Sequence, residues 1–318
     1  MKAIVYRAYG GPEVLQTADL PIPEPGPGQI LVRVCTSSVN PVDVKIASGK
    51  FRPIMRARFP QVPGFDIAGE VVRCGAGVSG FDPGARVHAR LVDGAAGAAA
   101  EYTLATPDVT VTMPADMDFA TAAGLPLAGM TALQGLRDQC DMPLHGASQR
   151  VLVIGASGGV GHLAVQIARA AGATVIGVCS GKNRELVESL GAHEVIDYRA
   201  ADPYRDLAPC DIILDCVGEA PGPWLPRLLP GGRFASMAPV AAVFLRSVLN
   251  PITRKKVRAI FLRSTAADLR FLDELASAGK LRVVRDQRFP LDQLRTAWER
   301  SHAGRAVGKI IVDVATPT

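Results

Sequence analysis

One stretch constrains this chain more than any other: an apolar run that ends in a glycine-rich turn and continues into a helical pattern. It reads VLVIGASGGVGHLAVQIARAAG, residues 151–172. A buried strand that turns sharply into a helix needs glycine at the turning points, because a side chain there blocks both the turn and any close approach to the backbone. Gly155, Gly158 and Gly161 stand at those points. A second strand pattern, TVIGVC, closes the unit, and RELVESLGA, HEVIDY, DIILDCVG and GGRFASM continue the alternation of helix and strand. Alternation of this kind folds as a parallel sheet with crossover helices, a doubly wound α/β arrangement.

The flanks read differently. Short strand patterns at 2–6, 30–34, 65–73, 85–89 and 101–104 are separated by turns such as PIPEPGPGQ, CGAGVSG and FDPG. Many short strands with Gly/Pro turns predict a small barrel or sandwich. DFATAAGLPLAGMTALQGL reads as a helix with Asp118 as its N-cap. After VRAIFLRS, a strand pattern, come the helix AADLRFLDELASAGK, the stretch LRVVRDQRFPL, the helix LDQLRTAWERSHAG and a last strand VGKIIVDV.

Composition narrows the class. The chain has 318 residues, 48% hydrophobic and 20% charged. That length suits two domains, and that balance excludes a disordered chain. A net charge of +5 suits small anionic ligands and gives no ground for a nucleic-acid partner. RKKVR, residues 254–258, reads as a solvated loop before a strand. The six cysteines form no C-x-x-C pair, so zinc-finger and thioredoxin-like readings fail on spacing. Free thiols in a reducing cytosol are the simpler reading, and a cytoplasmic location is expected. MKAIVYRAYGG has no apolar core of the signal-peptide kind. The longest apolar run, near 239–245, falls short of the roughly 20 residues of a membrane span, so no membrane partner is expected.

A strand, a glycine turn and a helix N-terminus together make a dinucleotide site, since the first N–H groups of the helix face a pyrophosphate. Gly155, Ser157, Gly158, Gly159, Val160 and Gly161 are the expected contacts. NAD-specific sites place Asp or Glu about 20 residues further on. This chain has Cys179, Ser180, Gly181 and Lys182 there, with Arg184 close by. A hydroxyl and a cation suit a 2′-phosphate, so the cofactor is expected to be NADPH, with Ser180 and Lys182 on its phosphate. Tyr198 is either a contact at the adenosine end or an exposed aromatic.

SVNPVDVK (38–45), VPGFDIAGEVVRCGAGVSGFDPGARV (62–87), AEYTLA (100–105), LPLAGMTAL (125–133), GASGGVG (155–161) and AVGKIIV (306–312) appear in an order and spacing that resemble the medium-chain dehydrogenase/reductase superfamily. The resemblance implies a GroES-like β-rich catalytic domain formed by 1–120 and 266–318, with a Rossmann domain at 121–265. Zinc enzymes of that superfamily carry Cys, His-Glu and Cys where this chain has Asn40, Phe65-Asp66 and Leu127. The loop at 91–100 has no Cys for a structural zinc lobe. The chain therefore resembles the zinc-free branch of quinone oxidoreductases and alkenal or enone reductases.

What the resemblance implies is hydride transfer from NADPH to the β-carbon of an α,β-unsaturated carbonyl, or to a quinone, without zinc. Asn40 and Lys45 are the implied catalytic residues. Thr131, Val217 and Lys309 join the implied cofactor contacts. Phe51 stands where some relatives carry Tyr, which leaves Lys45 or water as the proton source. Asp43 holds Lys45 or caps the local helix, and the five histidines read as structural or exposed. Two other readings stay open. One is a trans-acting enoyl reductase of a polyketide or fatty-acid pathway, with Arg52, Arg56 and Arg58 steering an anionic substrate. The other is a non-catalytic NADPH-binding protein. A homodimer is also left open.

Ser180→Asp is expected to lower the NADPH-to-NADH ratio of kcat/KM by about tenfold, the scale of one repulsive charge contact. Steady-state kinetics with both cofactors checks this, and an unchanged ratio moves the phosphate pocket away from Ser180.

Overall fold

The glycine turn and its strand lie in the middle of a six-stranded parallel sheet. Its order is Glu194–Asp197, Thr174–Cys179, Arg150–Ile154, Cys210–Asp215, Leu228–Ser236, Lys256–Ala259, and all neighbours run parallel. In chain order this is 3-2-1-4-5-6, the Rossmann order. The topology switches between Arg150–Ile154 and Cys210–Asp215, and such sheets bind ligands beyond the carboxyl ends of their strands at that switch. The computed structural model describes residues 1–52, 56–92, 97–200, 204–205, 207–237 and 241–315. They form two compact units: Met1–Ala128 with Ser264–Ser277 and Val283–Thr318, and Gly129–Arg263 with Ala278–Arg282.

The parallel strands read as unbroken apolar runs because both faces of such a sheet are covered. Leu152, Ile176, Ile213, Phe234 and Val257 meet in one core. The helix after the glycine turn, Gly161–Ala171, stops at Gly172, whose φ of +103° an L side chain would resist. PGPWLPR carries no periodic pattern. It forms a 3-10 turn, Gly222–Arg227, that drops Trp224 into the same core. VRAIFLRS is a strand only over Lys256–Ala259, at the edge of the sheet. Residues 239–240 of the apolar run lie outside the described residues, and Ala241–Ser247 is helical.

The other unit is β-rich. Its larger sheet runs Arg285–Pro290, Lys309–Asp313, Ile30–Val39, Asp66–Cys74, Arg86–Arg90, Thr110–Thr112, and Tyr102–Ala105 also pairs with Ile30–Val39. Lys2–Val5 and Gln16–Asp19 form a separate antiparallel pair. The strand expected at 30–34 runs on to Val39. Its polar half, Thr36, Ser37 and Ser38, is buried because neighbouring strands satisfy the backbone on both sides. The fold is thus α/β: a Rossmann sheet plus a β-rich unit assembled from both ends of the chain.

Register in this sheet sets up the site. Ile310 pairs with Val39, and Ser38 pairs with Asp66, so Lys309, Asn40 and Asp66 arrive from three adjacent segments. Beneath them Tyr6, Val44, Trp298, Ile310 and Val312 pack into one core. Trp298 is almost fully buried there. Trp298→Ala is expected to cost about 3–5 kcal/mol of stability, the usual range for emptying a large aromatic site. Urea unfolding checks it, and a loss below about 1 kcal/mol would show that this core does not hold the unit together.

Candidate active site

The β-rich unit buries a set of opposite charges around one amide. Asp66 Oδ2 accepts hydrogen bonds from Ser38 Oγ at 2.8 Å and Asn40 Nδ2 at 2.8 Å, and its Oδ1 accepts from the Leu127 N–H at 2.9 Å. The Lys309 ammonium lies 3.6 Å from Asp66 Oδ2. It donates to Asn40 Oδ1 and, at 3.4 Å, to the Val39 carbonyl. All four side chains are buried. Either charge alone would cost several kcal/mol at such depth, and each offsets the other. Burial pulls the Lys309 pKa down, while Asp66 and then Asp43 push it back up.

Asn40 is thereby fixed in one orientation, its oxygen on the ammonium and its nitrogen on the carboxylate. An amide nitrogen carries two hydrogens, so one N–H remains beyond the bond to Asp66. Asn40 also opens the helix Pro41–Ala47, and its backbone N–H donates to Asp43 Oδ2 at 2.8 Å. Of the two roles expected for Asp43, the geometry provides the helix cap. Lys45, on the same helix, is exposed.

Asp43 is buried, and its second oxygen has no hydrogen-bond partner among the described residues. Burial pushes its carboxyl up to about 7, against the Asn40 N–H, which favours the charged form; Asp66 adds to the rise, and Lys309 and Arg90 oppose it. A small cavity of about 40 Å³ lies beside it, lined by Tyr6, Arg56, Gln61 and Phe65 among others. Of the arginine-rich loop, Arg52 sits over the Tyr9 ring at 5.6 Å. Residues 53–55 of that loop lie outside the described residues, as do 93–96 of the loop expected to replace a zinc lobe.

The Rossmann unit holds the glycine turn. Gly155 has φ of +76°, and a Cβ there would come within 2.7 Å of Val217 Cγ2. A Cβ on Gly161 would collide with the Gly155 carbonyl oxygen. The backbone thus closes on itself where the helix starts, with Ser157, Gly158, Gly159 and Val160 spanning the bend. Asn183 Nδ2 donates to Ser157 Oγ at 2.9 Å, and the Asn183 N–H donates to the Ser180 carbonyl at 2.8 Å. Asp215 holds the third side: its carboxylate accepts from the N–H groups of Val217, Gly218 and Glu219 and, at 2.7 Å, from Ser236 Oγ. Turn, Ser180 and Val217 therefore gather at the carboxyl ends of three adjacent strands. A tight turn of this form at a helix start fits a dinucleotide pyrophosphate.

Lys182 is exposed and Ser180 buried. The Tyr198 N–H donates to the Cys179 carbonyl, which sets this exposed ring beside the end of the second strand, and the Arg199 guanidinium lies 5.5 Å from the ring. Arg199 is a cation that motif reading passed over, because it lies 20 residues beyond the end of that strand (Cys179) in sequence. Asp197 also stands here, close against Gly181, its Oδ1 taken by the Arg199 N–H at 3.0 Å. Thr131 is buried on the helix Pro126–Gln134. Lys309, expected among the cofactor contacts, belongs to the β-rich unit, where its ammonium is engaged by Asn40 and Asp66. Asp66 itself was named in the sequence only as a lost zinc position; its pairing with Ser38 is the signal that ties it to Asn40.

Two family models match the chain: an alcohol dehydrogenase GroES-like domain at residues 26–115 and a zinc-binding dehydrogenase at residues 190–312. A chloroplast envelope quinone oxidoreductase homolog of Arabidopsis thaliana is 37% identical over 98% of both chains. An NADPH-dependent alkenal/one oxidoreductase of the same plant is 33% identical over 98% of this chain and 79% of its own. The solved quinone oxidoreductase from Coxiella burnetii superposes with a TM-score of 0.89 at 31% identity, covering 99% of each chain. The chain belongs to the medium-chain dehydrogenase/reductase superfamily, in its quinone oxidoreductase and alkenal/enone reductase branch.

Zinc appears in one of those descriptions, and the side chains here do not fit it. Phe65 and Leu127 offer no ligand atoms, and Phe65 carries the Arg90 guanidinium 4.8 Å over its ring. Both Asp66 oxygens already accept hydrogen bonds, and a lysine ammonium sits against one of them. Among the described residues, no three or more His, Cys, Asp or Glu side chains converge on a common point.

Because Asp43 holds its proton to about pH 7 when folded and releases it near pH 4 when unfolded, the folded state binds the extra proton across that window. Stability is expected to fall as pH rises from about 4 to about 7 and to level off above. Asp43→Asn should flatten that slope in urea titrations, and an unchanged slope would show that Asp43 does not carry it.

Proposed function

We propose that this protein is an NADPH-dependent reductase that passes hydride to the β-carbon of α,β-unsaturated carbonyls, or to quinones, without zinc. The observation that carries the reading is the Asn40 amide locked between Lys309 and Asp66, where the superfamily's metal enzymes keep their ligands. The names of the quinone and alkenal/one oxidoreductase relatives support the same activity.

Bound NADPH supplies the hydride. The turn at Gly155, Ser157, Gly158, Gly159, Val160 and Gly161 holds its pyrophosphate. Ser180 and Lys182 take the 2′-phosphate, and Tyr198 with Arg199 flanks the adenosine. Asp197 stands against Gly181 beside these groups, with its Oδ1 taken by the Arg199 N–H. Thr131 and Val217 border the nicotinamide end. As hydride adds to the electron-poor carbon, negative charge develops on the substrate oxygen, and a preorganised donor lowers that barrier. The free N–H of Asn40 is that donor, and the buried charges behind it prevent the amide from turning. Lys45 or water returns the proton. Lys309 holds the Asn40 amide in place.

Six free thiols support a reducing setting. A trans-acting enoyl reductase is the second reading, favoured by Arg56 in the lining of the small cavity. NADPH consumption against quinones, alkenals, cyclic enones and pantetheine enoyl thioesters separates the two. No turnover across the whole panel would leave a non-catalytic NADPH-binding protein. Asn40→Ala is expected to lower kcat by about a hundredfold with NADPH affinity kept, the usual loss for one oxyanion donor. A kcat within threefold of the parent would remove Asn40 from the chemistry.

A further inference from the structure

Asp43 and Ile46, one turn apart on the helix Pro41–Ala47, line the cavity of about 40 Å³ inside the β-rich unit. That is room for about three waters, or for one carboxylate head group. Phe65 adds an apolar wall, and Tyr6, Arg56 and Gln61 add polar groups. Asp43 is 3% exposed and Tyr6 2%. Asp43 Oδ1 has no hydrogen-bond partner among the described residues, and neither has the Tyr6 hydroxyl. Buried polar groups are almost always bonded, so two such groups on one lining mark a place where something polar binds.

The direction of these groups decides what binds. Asp43 Oδ2 accepts from the Asn40 N–H at 2.8 Å, so the hydrogen of the neutral acid belongs to Oδ1. The charges acting on that acid are Asp66 and Lys309 on their strands and Arg90 at the end of its own. Tyr6 and Arg56 join it from the lining. Tyr6 stays a phenol, because burial, then Tyr9 and Asp43, push its pKa up to about 12. Both groups therefore donate in neutral or mildly acidic water. Gln61 Nε2 spends one hydrogen on the Val62 carbonyl at 3.4 Å and keeps the other. Arg56 has no acidic partner among the described residues and brings a positive charge.

We propose that this cavity binds the carboxylate of a small aliphatic acid, with Asp43 and Tyr6 donating to its oxygens and Arg56 facing its charge. A metal cation fits poorly, since two donors and a guanidinium repel it. Phosphate carries more charge than one arginine balances and needs more room. An acid set against a carboxylate makes a charge-assisted hydrogen bond, about twice as strong as a neutral one to water. A second void on Asp43, about 10 Å³ beside Ser37 and Trp298, holds one water at most. The site rests on this cavity alone, whatever the protein reduces.

Saturation-transfer NMR on the full chain, titrated with sodium acetate at constant ionic strength, tests it. Acetate should saturate at about pH 6 and bind about tenfold or more weakly at about pH 8.5, where Asp43 has lost its hydrogen and repels the ligand. Asp43→Asn keeps an acceptor for the Asn40 N–H and puts an N–H donor in place of Oδ1, so it should bind acetate alike at both pH values. Tyr6→Phe should weaken binding about fivefold, one hydrogen bond's worth, with the circular dichroism spectrum of the parent. Acetamide, which lacks the charge, should bind about tenfold more weakly. No saturation by acetate at about pH 6, equal parental affinity at both pH values, or parental affinity in Tyr6→Phe would overturn the proposal and leave water as the occupant.

Discussion

The pairing of Lys309–Asp313 with Ile30–Val39 is the contact on which the rest of the β-rich unit depends. It brings a strand from near the end of the sequence beside one from its beginning. It also sets a buried ammonium opposite a buried amide and carboxylate. Water would solvate those charges better than any apolar neighbour, so the arrangement survives only because each partner is present. Where a metal enzyme of the same superfamily gathers its ligands, this chain uses a side-chain cation to set the direction of an amide. That cation cannot exchange or be chelated away.

The Rossmann half was largely legible in sequence. A parallel sheet covered on both faces leaves unbroken apolar runs, and a strand-to-helix turn leaves its glycines; both are local signals. Gly172 at the end of a helix and Asp118 at the start of another were equally plain, because capping depends on neighbours in sequence. Trp224 was not legible: its 3-10 turn has no period, and only the core it fills gives it a place. The charged cluster was hidden for a different reason. Ser38, Asp66 and Lys309 look unrelated until strand register puts them together, and register is a property of pairs of strands. Resemblance pointed to Asn40 and Lys45, and the structure separates them, one buried and committed, the other exposed.

The two charge patterns of the Rossmann unit differ in kind. Beside the glycine turn, Lys182 and Arg199 are set singly, and one Asp197 oxygen accepts from the Arg199 N–H. Along 241–263 the cations come in a block with exposed apolar side chains. The first pattern suits a small molecule with one phosphate to recognise.

The placement of Lys309–Asp313 inside its sheet, and not at an edge, also governs how the molecule is made. A nascent chain emerging from the ribosome can complete the six parallel strands while its tail is still being synthesised. The sheet begun at residue 30 must wait, with Thr36–Val39 unpaired on one side, until Arg285–Pro290 and Lys309–Asp313 have been made. Quality-control factors would therefore meet a half-finished product whose second unit is already whole, and the hazard of wrong strand insertion is concentrated in that interval.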